Sequence, residues 1–174
     1  MSKNELHARK DESYKIFDKI AGTYDFLNHL LSFGIDIYWR KVVINNLPKR
    51  NDLEILDLAC GTGDLTIALA NEKNVKSVLG IDLSQGMIDI GKTKITRKKL
   101  SDKSSMEIGD GVNIPKEDNS FDVTTVSFGI RNFPDTQKSL HNMYRVIRPG
   151  GRSMVLEFSI PKNIFFRGIY FFYF

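Results

Sequence analysis

The sequence predicts an α/β fold in which a doubly wound, mostly parallel sheet carries helices on both faces. From residue 51 onward, short apolar runs alternate with segments of helical periodicity, which is the pattern of parallel strands joined by crossover helices. The run at 121–128 is mainly apolar and β-branched, as expected of a strand buried on both faces. With 174 residues we expect one domain, in which a helical region at 1–50 precedes an α/β core at 51–174.

Two amphipathic segments are predicted before the first strand. Apolar residues recur at helical spacing across 14–33, but Gly22 and Asn28 interrupt them, so we expect two short helices or a helix and a turn. A further helix is expected to end near Pro48 and to bury one face, made of Trp39, Val42, Val43 and Leu47. These helices are expected either to form a lid over a site or to cover one face of the sheet, and the pattern leaves both open.

The first elements of the core follow in order. A strand is predicted at 54–60, and its helix at 63–71 is expected to turn three side chains inward, namely Leu65, Ala68 and Leu69. A second strand at 77–82 leads to Ser84, which can cap the next helix. The buried stripe of that helix is predicted to comprise Met87, Ile88, Gly91 and Ile95.

The later elements complete the alternation. A short third strand is predicted at 106–108 and a fourth at 121–128. Four apolar side chains are expected on one face of a helix at 136–148, namely Leu140, Met143, Tyr144 and Ile147. The run Pro149-Gly150-Gly151 is expected to end this helix before a fifth strand at 153–158.

The first strand runs into a turn with almost no side-chain bulk, Ala59-Cys60-Gly61-Thr62-Gly63. Gly61 and Gly63 can adopt backbone angles that are closed to other residues. At the carboxyl end of a parallel strand, such a turn lets a ligand lie against main-chain N–H groups at the start of a helix. The alternative is a tight strand-to-helix connection without a ligand, because short glycine motifs match often.

The residues around the turn narrow the class of ligand. A third glycine, as in a dinucleotide site, is missing after Gly63, and the Gly-Lys-Ser/Thr ending of a P-loop is also missing. Asp64 stands at the helix start, where its charge disfavours a phosphate and is compatible with an amine. Asp82 ends the second strand, at a spacing suited to accepting hydrogen bonds from ribose hydroxyls. A nucleoside with an amine and without a phosphate suggests S-adenosylmethionine.

The composition argues against several other functions. The net charge is only +4, and the lysine-rich run at 92–103 is interpreted as a solvated helix face, because no aromatic residues interleave with it for base stacking. We therefore expect no nucleic-acid partner. Cys60, the single cysteine, fits a reducing cytoplasmic compartment and is not interpreted as a nucleophile. No metal site is expected, because the histidines lack the spacing of ligands, and no apolar run reaches the roughly 20 residues of a membrane span.

These motifs together resemble a known family. The run 56–64, Asp82, Asp110 and the turn 149–151 are similar to the class I S-adenosylmethionine-dependent methyltransferases. Narrower features are 24–28 with Trp39-Arg40, the phrase Ser-Phe-Gly-Ile-Arg-Asn at 127–132, and 143–146 with 156–159. With them the chain resembles the C-methyltransferases of menaquinone and ubiquinone biosynthesis from about Tyr14 to its last residue. The resemblance implies a Rossmann-like fold and methyl transfer from S-adenosylmethionine to a ring carbon of a prenylated demethylmenaquinol.

The resemblance also implies roles for individual residues. Cofactor contacts are expected from the end of the first strand and its turn, from the end of the second strand, and from two later positions: Asp57, Ala59, Gly61, Thr62, Gly63, Asp82, Asp110, Gly111 and Ser127. The family usually has Asn-Ala or Asp-Ala where this chain has Asp110-Gly111, so a methyl contact is lost. Arg131 is expected to stabilise a phenolate of the acceptor, with Asn132 and Tyr24 holding its hydroxyl or a water. The alternatives are an ion pair of Arg131 with a surface carboxylate and a packed lid aromatic for Tyr24.

Other readings of function remain open at this level. One is a methyltransferase of small polar metabolites, and another is a truncated binding module that retains the nucleoside pocket without activity. Apolar residues in the helical region favour a lipid-tailed acceptor: Phe17, Phe26, Leu30, Leu31 and Phe33. Such an acceptor leads us to expect peripheral contact with the inner face of a membrane, and a homodimer is a further expectation.

Family members extend past the aromatic run at 164–174, so we expect an N-terminal fragment that lacks the last strands of the sheet and associates through an exposed edge.

Overall fold

The structure, a computed structural model, describes residues 13–32 and 34–157, without the side chains at 13, 26, 27 and 29–31. The elements in chain order are α1 (Ser13–Leu31), α2 (Ile35–Asn45), β1 (Leu53–Leu58), α3 (Asp64–Ala70), β2 (Val75–Asp82), α4 (Gln85–Arg97), β3 (Ser104–Ile108), β4 (Phe121–Ser127), a 3₁₀ turn (Ile130–Asn132), α5 (Thr136–Val146) and β5 (Ile147–Leu156). The predicted strands and helices are therefore present, most of them within two residues of their expected ends.

The strands form one parallel sheet, and the α/β prediction is confirmed. The described part of the chain has five strands in the order β3-β2-β1-β4-β5. The chain moves outward from β1 to β3 and then crosses back to β4, which pairs with the other edge of β1. The carboxyl ends of β1 and β4 thus flank the point where the strand order reverses, which is where ligands bind in sheets of this type.

Both faces of the sheet are buried. On one face, α2 and α3 pack against β1, β2 and β4 through a cluster that includes Val43, Leu69, Ile55, Val78 and Val123. On the other face, α5 and the segment at 112–114 cover a second cluster that includes Leu56, Leu58, Ile81, Val126 and Met143. Burial on two faces explains why consecutive residues of β1 and β4 are buried, without the strict alternation of a strand that has one face in solvent.

The N-terminal segment forms one helix, α1, that continues through Gly22 and Asn28, so the predicted interruptions at these two residues are wrong. A glycine inside a helix costs only about 1 kcal/mol relative to alanine, and Gly22 stays within the helix with no atom crowding it. The contacts of Asp18 and Asp25 on either side of Gly22, described below, hold the helix together. Of the predicted lid residues, Phe17 is described and lines the site, whereas Phe33 and the side chains of Phe26, Leu30 and Leu31 lie outside the described residues.

The Pro149-Gly150-Gly151 turn does not separate α5 from the last strand. β5 begins at Ile147, opposite Phe121, and its pairing with β4 shifts before it resumes with Arg152 opposite Val123. The residues between form a bulge, in which Gly150 has φ 78° and a Cβ on Gly151 would lie 2.6 Å from the carbonyl oxygen of Asp122. The long-range pairing of Ile147 is what extends the strand toward its amino end, and a sequence pattern does not reveal it.

Helix α4 buries the predicted stripe, but the predicted faces of α2, α3 and α5 need correction. Val43 and Leu47 are buried as expected, whereas Val42 is 38% exposed. In α4 the expected residues are buried: Met87, Ile88, Gly91 and Ile95. In α5 the buried residues are Ser139, Met143 and Val146, whereas Leu140 and Tyr144 are 42% and 78% exposed. In α3 Leu65 and Leu69 are buried as expected, but Ile67 and Thr66 are buried beside them and Ala68 is only partly covered. When a short helix packs against the core with more than one side, the apolar residues in its sequence no longer follow a clear 3.6-residue period.

Met143 and Tyr144 are neighbours in α5 with opposite exposure. We expect Met143→Ala to lower the free energy of unfolding by about 2–4 kcal/mol, because Met143 is fully buried and its removal leaves a cavity. Tyr144→Ala, one residue along the same helix, is expected to change it by less than about 0.5 kcal/mol. Urea denaturation of both variants measures the difference, and equal losses would show that the face of α5 is assigned incorrectly.

Candidate functional site

Two adjoining cavities open at the carboxyl edge of the sheet, where β1, β2 and β4 end. The larger cavity has a volume of about 300 Å³ and the smaller one about 60 Å³. Both are lined by a shared set of residues, Tyr24, Ala59, Gly61, Ser127 and Phe128. The larger cavity extends toward Asp82 and the smaller one toward Asp64 and Arg40, so together they form one elongated site with an acidic residue toward each end.

The glycine turn has the backbone geometry that the sequence predicts. Gly61 has φ 55° and Gly63 has φ 79°, both in the left-handed region that favours glycine. Gly63 is also crowded, because a Cβ there would lie 2.8 Å from the sulfur of Met106. The N–H of Cys60 donates to the carbonyl of Ile81, which ties the turn to the neighbouring strand β2. This hydrogen bond to β2 therefore holds the turn in place at the end of the sheet.

Asp82 joins the two loops that carry the site. Its carboxylate accepts hydrogen bonds from the backbone N–H of Gly61 and from that of Ser84, each at 2.9 Å. Burial raises the pKa of Asp82, and these backbone bonds counteract that effect. Each carboxylate oxygen keeps a further lone pair, and the side chain lines the larger cavity. This donor and acceptor pattern fits a ribose whose two hydroxyls face one carboxylate.

Gly111 and Phe133 shape the wall where a base would lie. A Cβ on Gly111 would lie 2.5 Å from the ring of Phe133, so this ring occupies the space of the methyl group that the family pattern usually supplies. Asp110 accepts from the N–H of Val112 at 2.7 Å and from the side-chain amide of Asn113 at 2.8 Å, which holds its carboxylate in place beside the cavity. The flat apolar wall and the fixed carboxylate fit an adenine with its exocyclic amine.

Asp57 lies beneath the turn. Its two carboxylate oxygens accept from the hydroxyls of Thr66 at 2.7 Å and Thr125 at 2.6 Å, and the residue is 1% exposed. Burial raises the pKa of Asp57 to about 6, although the two threonine hydrogen bonds counteract the rise. Asp57 also lines the smaller cavity, so these hydrogen bonds fix the ends of β1 and β4 at the wall of the site.

This pKa leads to a prediction about pH. Because the folded pKa of about 6 exceeds the ordinary value of 3.8, the folded protein binds more protons than the unfolded one between these limits. The free energy of unfolding should therefore fall as the pH rises from about 4 to 6, by up to about 3 kcal/mol from Asp57 alone. Asp57→Asn is expected to remove that part of the slope. Urea denaturation at several pH values measures it; Asp82, whose pKa is also raised, accounts for a remaining slope, and an unchanged slope would contradict the assignment.

Thr62 is buried and contacts protein groups that the sequence analysis did not assign to the site. Its hydroxyl lies 2.5 Å from a carboxylate oxygen of Asp25 on α1 and 3.0 Å from the ammonium of Lys94 on α4. Lys94 also pairs with Asp25 at 2.5 Å and with Asp64 at 2.7 Å. Lys94 was grouped with a solvated run, yet it lies seven residues after Met87, on the buried side of α4. Its phase in the helix was the signal that could have identified it.

Tyr24 lines both cavities, so α1 contributes directly to the site. Its ring packs edge-on against Phe17, with the ring centroids 6.1 Å apart. Burial raises the pKa of the Tyr24 phenol, whereas the positive charge of Arg131 lowers it. The phenol is therefore protonated at neutral pH and acts as a hydrogen-bond donor or acceptor, and Arg131 is close enough to act on its charge.

Asn132 and Arg131 stand on the 3₁₀ turn after β4. Asn132 lines the larger cavity. Arg131 is half exposed and pairs through Nη1 with Oε1 of Glu157, which follows β5. The ion pair that was the alternative for Arg131 is thus present, and it holds the guanidinium at the same edge of the sheet as the cavity.

Two residues at the floor of the site adopt an uncommon backbone conformation. Ala59 and Phe128, which follow β1 and β4, have φ values of 49° and 57°. Gly129 lies so close that a Cβ there would stand 2.4 Å from the Cβ of Ala59, and the ring of Phe128 packs against Trp39 with centroids 5.3 Å apart. Ala59 and Phe128 thus bring the ends of β1 and β4 close together at the floor of the cavity.

Other chemistry finds no support among the described residues. Burial raises the pKa of the Cys60 thiol well above its usual range, so it is not a nucleophile at neutral pH. No group of histidine, cysteine and acidic side chains in the described ranges is arranged to hold a metal ion. Within 13–32 and 34–157, no helix is both long and apolar enough to cross a bilayer.

Comparisons with known sequences agree with the site. The model of the ubiE/COQ5 methyltransferase family matches residues 5–174. The chain is 41% identical over 170 residues to a protein of Geotalea daltonii named ubiquinone/menaquinone biosynthesis C-methyltransferase UbiE, a match that covers 97% of this chain and 72% of the relative. It is also 41% identical over 155 residues to the demethylmenaquinone methyltransferase of Bacteroides fragilis, covering 89% of this chain and 63% of that protein.

Solved structures show the same fold. A putative S-adenosyl-L-methionine-dependent methyltransferase of Methanococcus maripaludis superposes with a TM-score of 0.70 at 26% identity, covering 79% of this chain and 62% of that one. The geranyl diphosphate C-methyltransferase of Streptomyces coelicolor, solved with S-adenosyl-L-homocysteine, superposes with a TM-score of 0.64 at 16% identity over 69% of this chain and 45% of that one. The architecture is therefore that of the class I methyltransferases.

Proposed function

The chain belongs to the ubiE/COQ5 methyltransferase family, and from this premise we propose that it methylates a ring carbon of a prenylated demethylmenaquinol with S-adenosylmethionine as the methyl donor. The observation that carries the proposal is the elongated site at the point where the strand order reverses. One part of it has groups that fit adenosine, at Asp82, Asp110 and Gly111, and Tyr24 and Asn132 stand beside the same space.

The chain's own groups fit the cofactor from end to end. Asp82 suits the ribose hydroxyls, and Asp110 with the wall of Gly111 and Phe133 suits the adenine. At the other end, Asp64 faces the smaller cavity, where a carboxylate suits an α-ammonium group. When bound, S-adenosylmethionine supplies a methyl group that is already activated on a sulfonium, so the protein need not improve the leaving group. We propose that the remaining contacts come from the end of β1, its turn and the end of β4: Asp57, Ala59, Gly61, Thr62, Gly63 and Ser127.

The protein's task is then to position the acceptor and to make its ring carbon nucleophilic. A hydroquinone carbon becomes nucleophilic when the neighbouring hydroxyl gives up its proton. Arg131 carries a permanent charge that would stabilise the resulting phenolate, and Tyr24 and Asn132 can hold the oxygen or a water that accepts the proton. Holding the reacting groups in line can contribute several kcal/mol toward the barrier, up to about 7–11 in ideal cases.

The apolar wall of the site supports an acceptor with a lipid tail. Tyr14 and Phe17 of α1 and Phe128 line the cavity beside the polar groups. We propose on this ground a lipid-tailed quinol as partner and peripheral contact with the inner face of a membrane where such a quinol resides. Apart from the cavity wall, we propose a cytoplasmic protein that forms a homodimer and has no nucleic-acid partner.

A methyl-transfer assay with a matched set of acceptors tests the proposal. Reduced demethylmenaquinol, the oxidised quinone, a benzoquinol precursor of ubiquinone and a small polar acceptor are each incubated with labelled S-adenosylmethionine. We expect label in the naphthoquinol and none in the oxidised quinone, because only the quinol can form a phenolate. Transfer to the polar acceptor alone, or binding of the cofactor with transfer to no acceptor, would overturn the proposal.

A further inference from the structure

A polar stripe along α1 connects this helix to the glycine turn after β1 and to the loop after β2. Asp18 and Asp25 are seven residues apart, which places them on the same face of the helix two turns from each other. A carboxylate oxygen of Asp18 accepts from the hydroxyl of Ser84 at 2.8 Å and from the N–H of Gly86 at 2.7 Å, at the start of α4. Ala21, between the two acids, is 6% exposed. The stripe therefore fixes α1 to the loop that follows β2.

The second contact of the stripe is an ammonium shared by three oxygen atoms. Lys94 lies 2.5 Å from Asp25, 2.7 Å from Asp64 and 3.0 Å from the hydroxyl of Thr62. Asp25 belongs to α1. Thr62 lies in the glycine turn, and Asp64 is the first residue of α3. The Lys94 side chain is 20% exposed, so solvent screens these pairs only in part. One charge thus links the helix, the turn and α4.

The same contacts set the position of a residue of the site. Tyr24 directly precedes Asp25 and lines both cavities. Because Asp25 fixes the rotation of α1 about its axis, it also fixes where the Tyr24 ring stands over the cavity. Without Lys94, the carboxylates of Asp25 and Asp64 would face each other across the space that the ammonium now fills. Arg40, 3.5 Å from the other carboxylate oxygen of Asp64, would offset only part of their repulsion, and the remainder would push α1 away from the turn.

We propose that Lys94 is a positioning residue that couples the docking of α1 to the ligand-bound shape of the glycine turn. This proposal rests on the proposed function, since it concerns the same cofactor site. A cofactor that binds against the turn stabilises the Thr62–Lys94–Asp25 contacts and so favours the docked position of α1. By thermodynamic linkage, the docked helix raises the affinity for the cofactor by the same factor.

The test uses S-adenosylhomocysteine as the probe and the full chain as the protein. In the wild type, saturation with this ligand is expected to slow amide hydrogen exchange in α1. In Lys94→Met this slowing should be lost, and the Kd from calorimetry should rise about 5- to 30-fold. Lys94→Arg keeps the charge and should stay within about threefold of the wild type. Lys92→Met, an exposed lysine of the same helix, is the matched control and should change neither quantity.

A double variant separates positioning from direct contact with the ligand. If Lys94 acts through Asp25, then Asp25→Asn combined with Lys94→Met should bind the probe at least as well as Lys94→Met alone, because the repulsion with Asp64 is relieved. If the two losses multiply, Lys94 acts on the ligand directly and the proposal is overturned. It is also overturned if Lys94→Met retains the slowing of exchange. Should Lys94→Met not fold, the pair of Asp25→Asn and Lys94→Arg carries the same test, with loss of the slowing expected only in the former.

The outcomes distinguish this proposal from the proposed function. Failure of the wild type to bind S-adenosylhomocysteine would contradict the function itself. Binding with no protection of α1, or with equal protection in every variant, would contradict only the coupling.

Discussion

Replacing Asp82 by alanine is expected to weaken cofactor binding more than any other single change at this site. The side chain would lose two hydrogen bonds from ribose hydroxyls to a charged carboxylate, which corresponds to about 2–4 kcal/mol, or roughly a 30- to 1000-fold rise in Kd. The structure gives a second reason, because the same carboxylate accepts the N–H groups of Gly61 and Ser84. The variant therefore also loosens the two loops that form the cavity.

Calorimetry with S-adenosylhomocysteine measures this effect, and two variants serve as controls. Asp82→Asn keeps the shape and one acceptor oxygen, so its affinity should lie between the wild type and Asp82→Ala. Asp89→Ala removes an equal charge from an exposed position on α4, where the side chain accepts a hydrogen bond from Gln85, and should leave the affinity unchanged. Wild-type affinity in Asp82→Ala would remove this carboxylate from the cofactor site.

The second large effect is expected at Arg131, in turnover and not in cofactor binding. Arg131→Ala should lower the rate of quinol methylation by on the order of 10²-fold or more, while the Kd of S-adenosylhomocysteine changes little. The effect of Arg131 on Tyr24, which is also a phenol, supports this expectation. Burial raises its pKa, and the charge of Arg131 lowers it, so the guanidinium acts on a phenol that lines the cavity. The same positive charge would lower the pKa of a hydroquinone hydroxyl bound beside Tyr24.

Single-turnover rates measured across pH distinguish this role from a structural one. The deficit of Arg131→Ala should shrink as the pH rises, because the quinol then ionises unaided. Arg131→Lys keeps the charge without the fork geometry and should lose less. Glu157→Gln removes the carboxylate that pairs with Arg131 and leaves the guanidinium, so its turnover should fall less than about threefold. Loss of cofactor binding in Arg131→Ala, or turnover unaffected at every pH, would assign the arginine to structure.

The parts of the site that could be predicted are those whose geometry is set by neighbouring residues in the sequence. Gly61 and Gly63 were identified because a left-handed turn after a buried strand needs them, and Asp82 because parallel strands end at one edge of the sheet. The stripe of α4 followed from its helical period. In each case, one local rule of backbone or packing determines where the residue lies.

The missed features depend on partners that are distant in the sequence. Gly22 was expected to break α1, yet Asp18 and Asp25 stabilise the intact helix through distant partners. Asp18 binds groups at least 66 residues further on, and Asp25 binds groups at least 37 residues further on. Lys94 was expected on a solvated face because its run was read by composition and not by helical phase. The strand β5 was expected to begin after Gly151, but Ile147 pairs with Phe121 before the bulge. Pairing across the sheet and ion pairs between helices overrode local propensity at all three places.

The backbone at Ala59 and Phe128 limits how this chain can be made more resistant to heat. A common engineering route replaces a residue at positive φ by glycine, which would relieve strain on the order of 1 kcal/mol at each position. Here the methyl of Ala59 fills the space in front of Gly129, and the Phe128 ring packs on Trp39, so either replacement would change the cavity. Laboratory evolution toward thermostability should therefore accumulate substitutions elsewhere, on exposed surfaces such as the outer side of α5, and retain the strain at the strand ends.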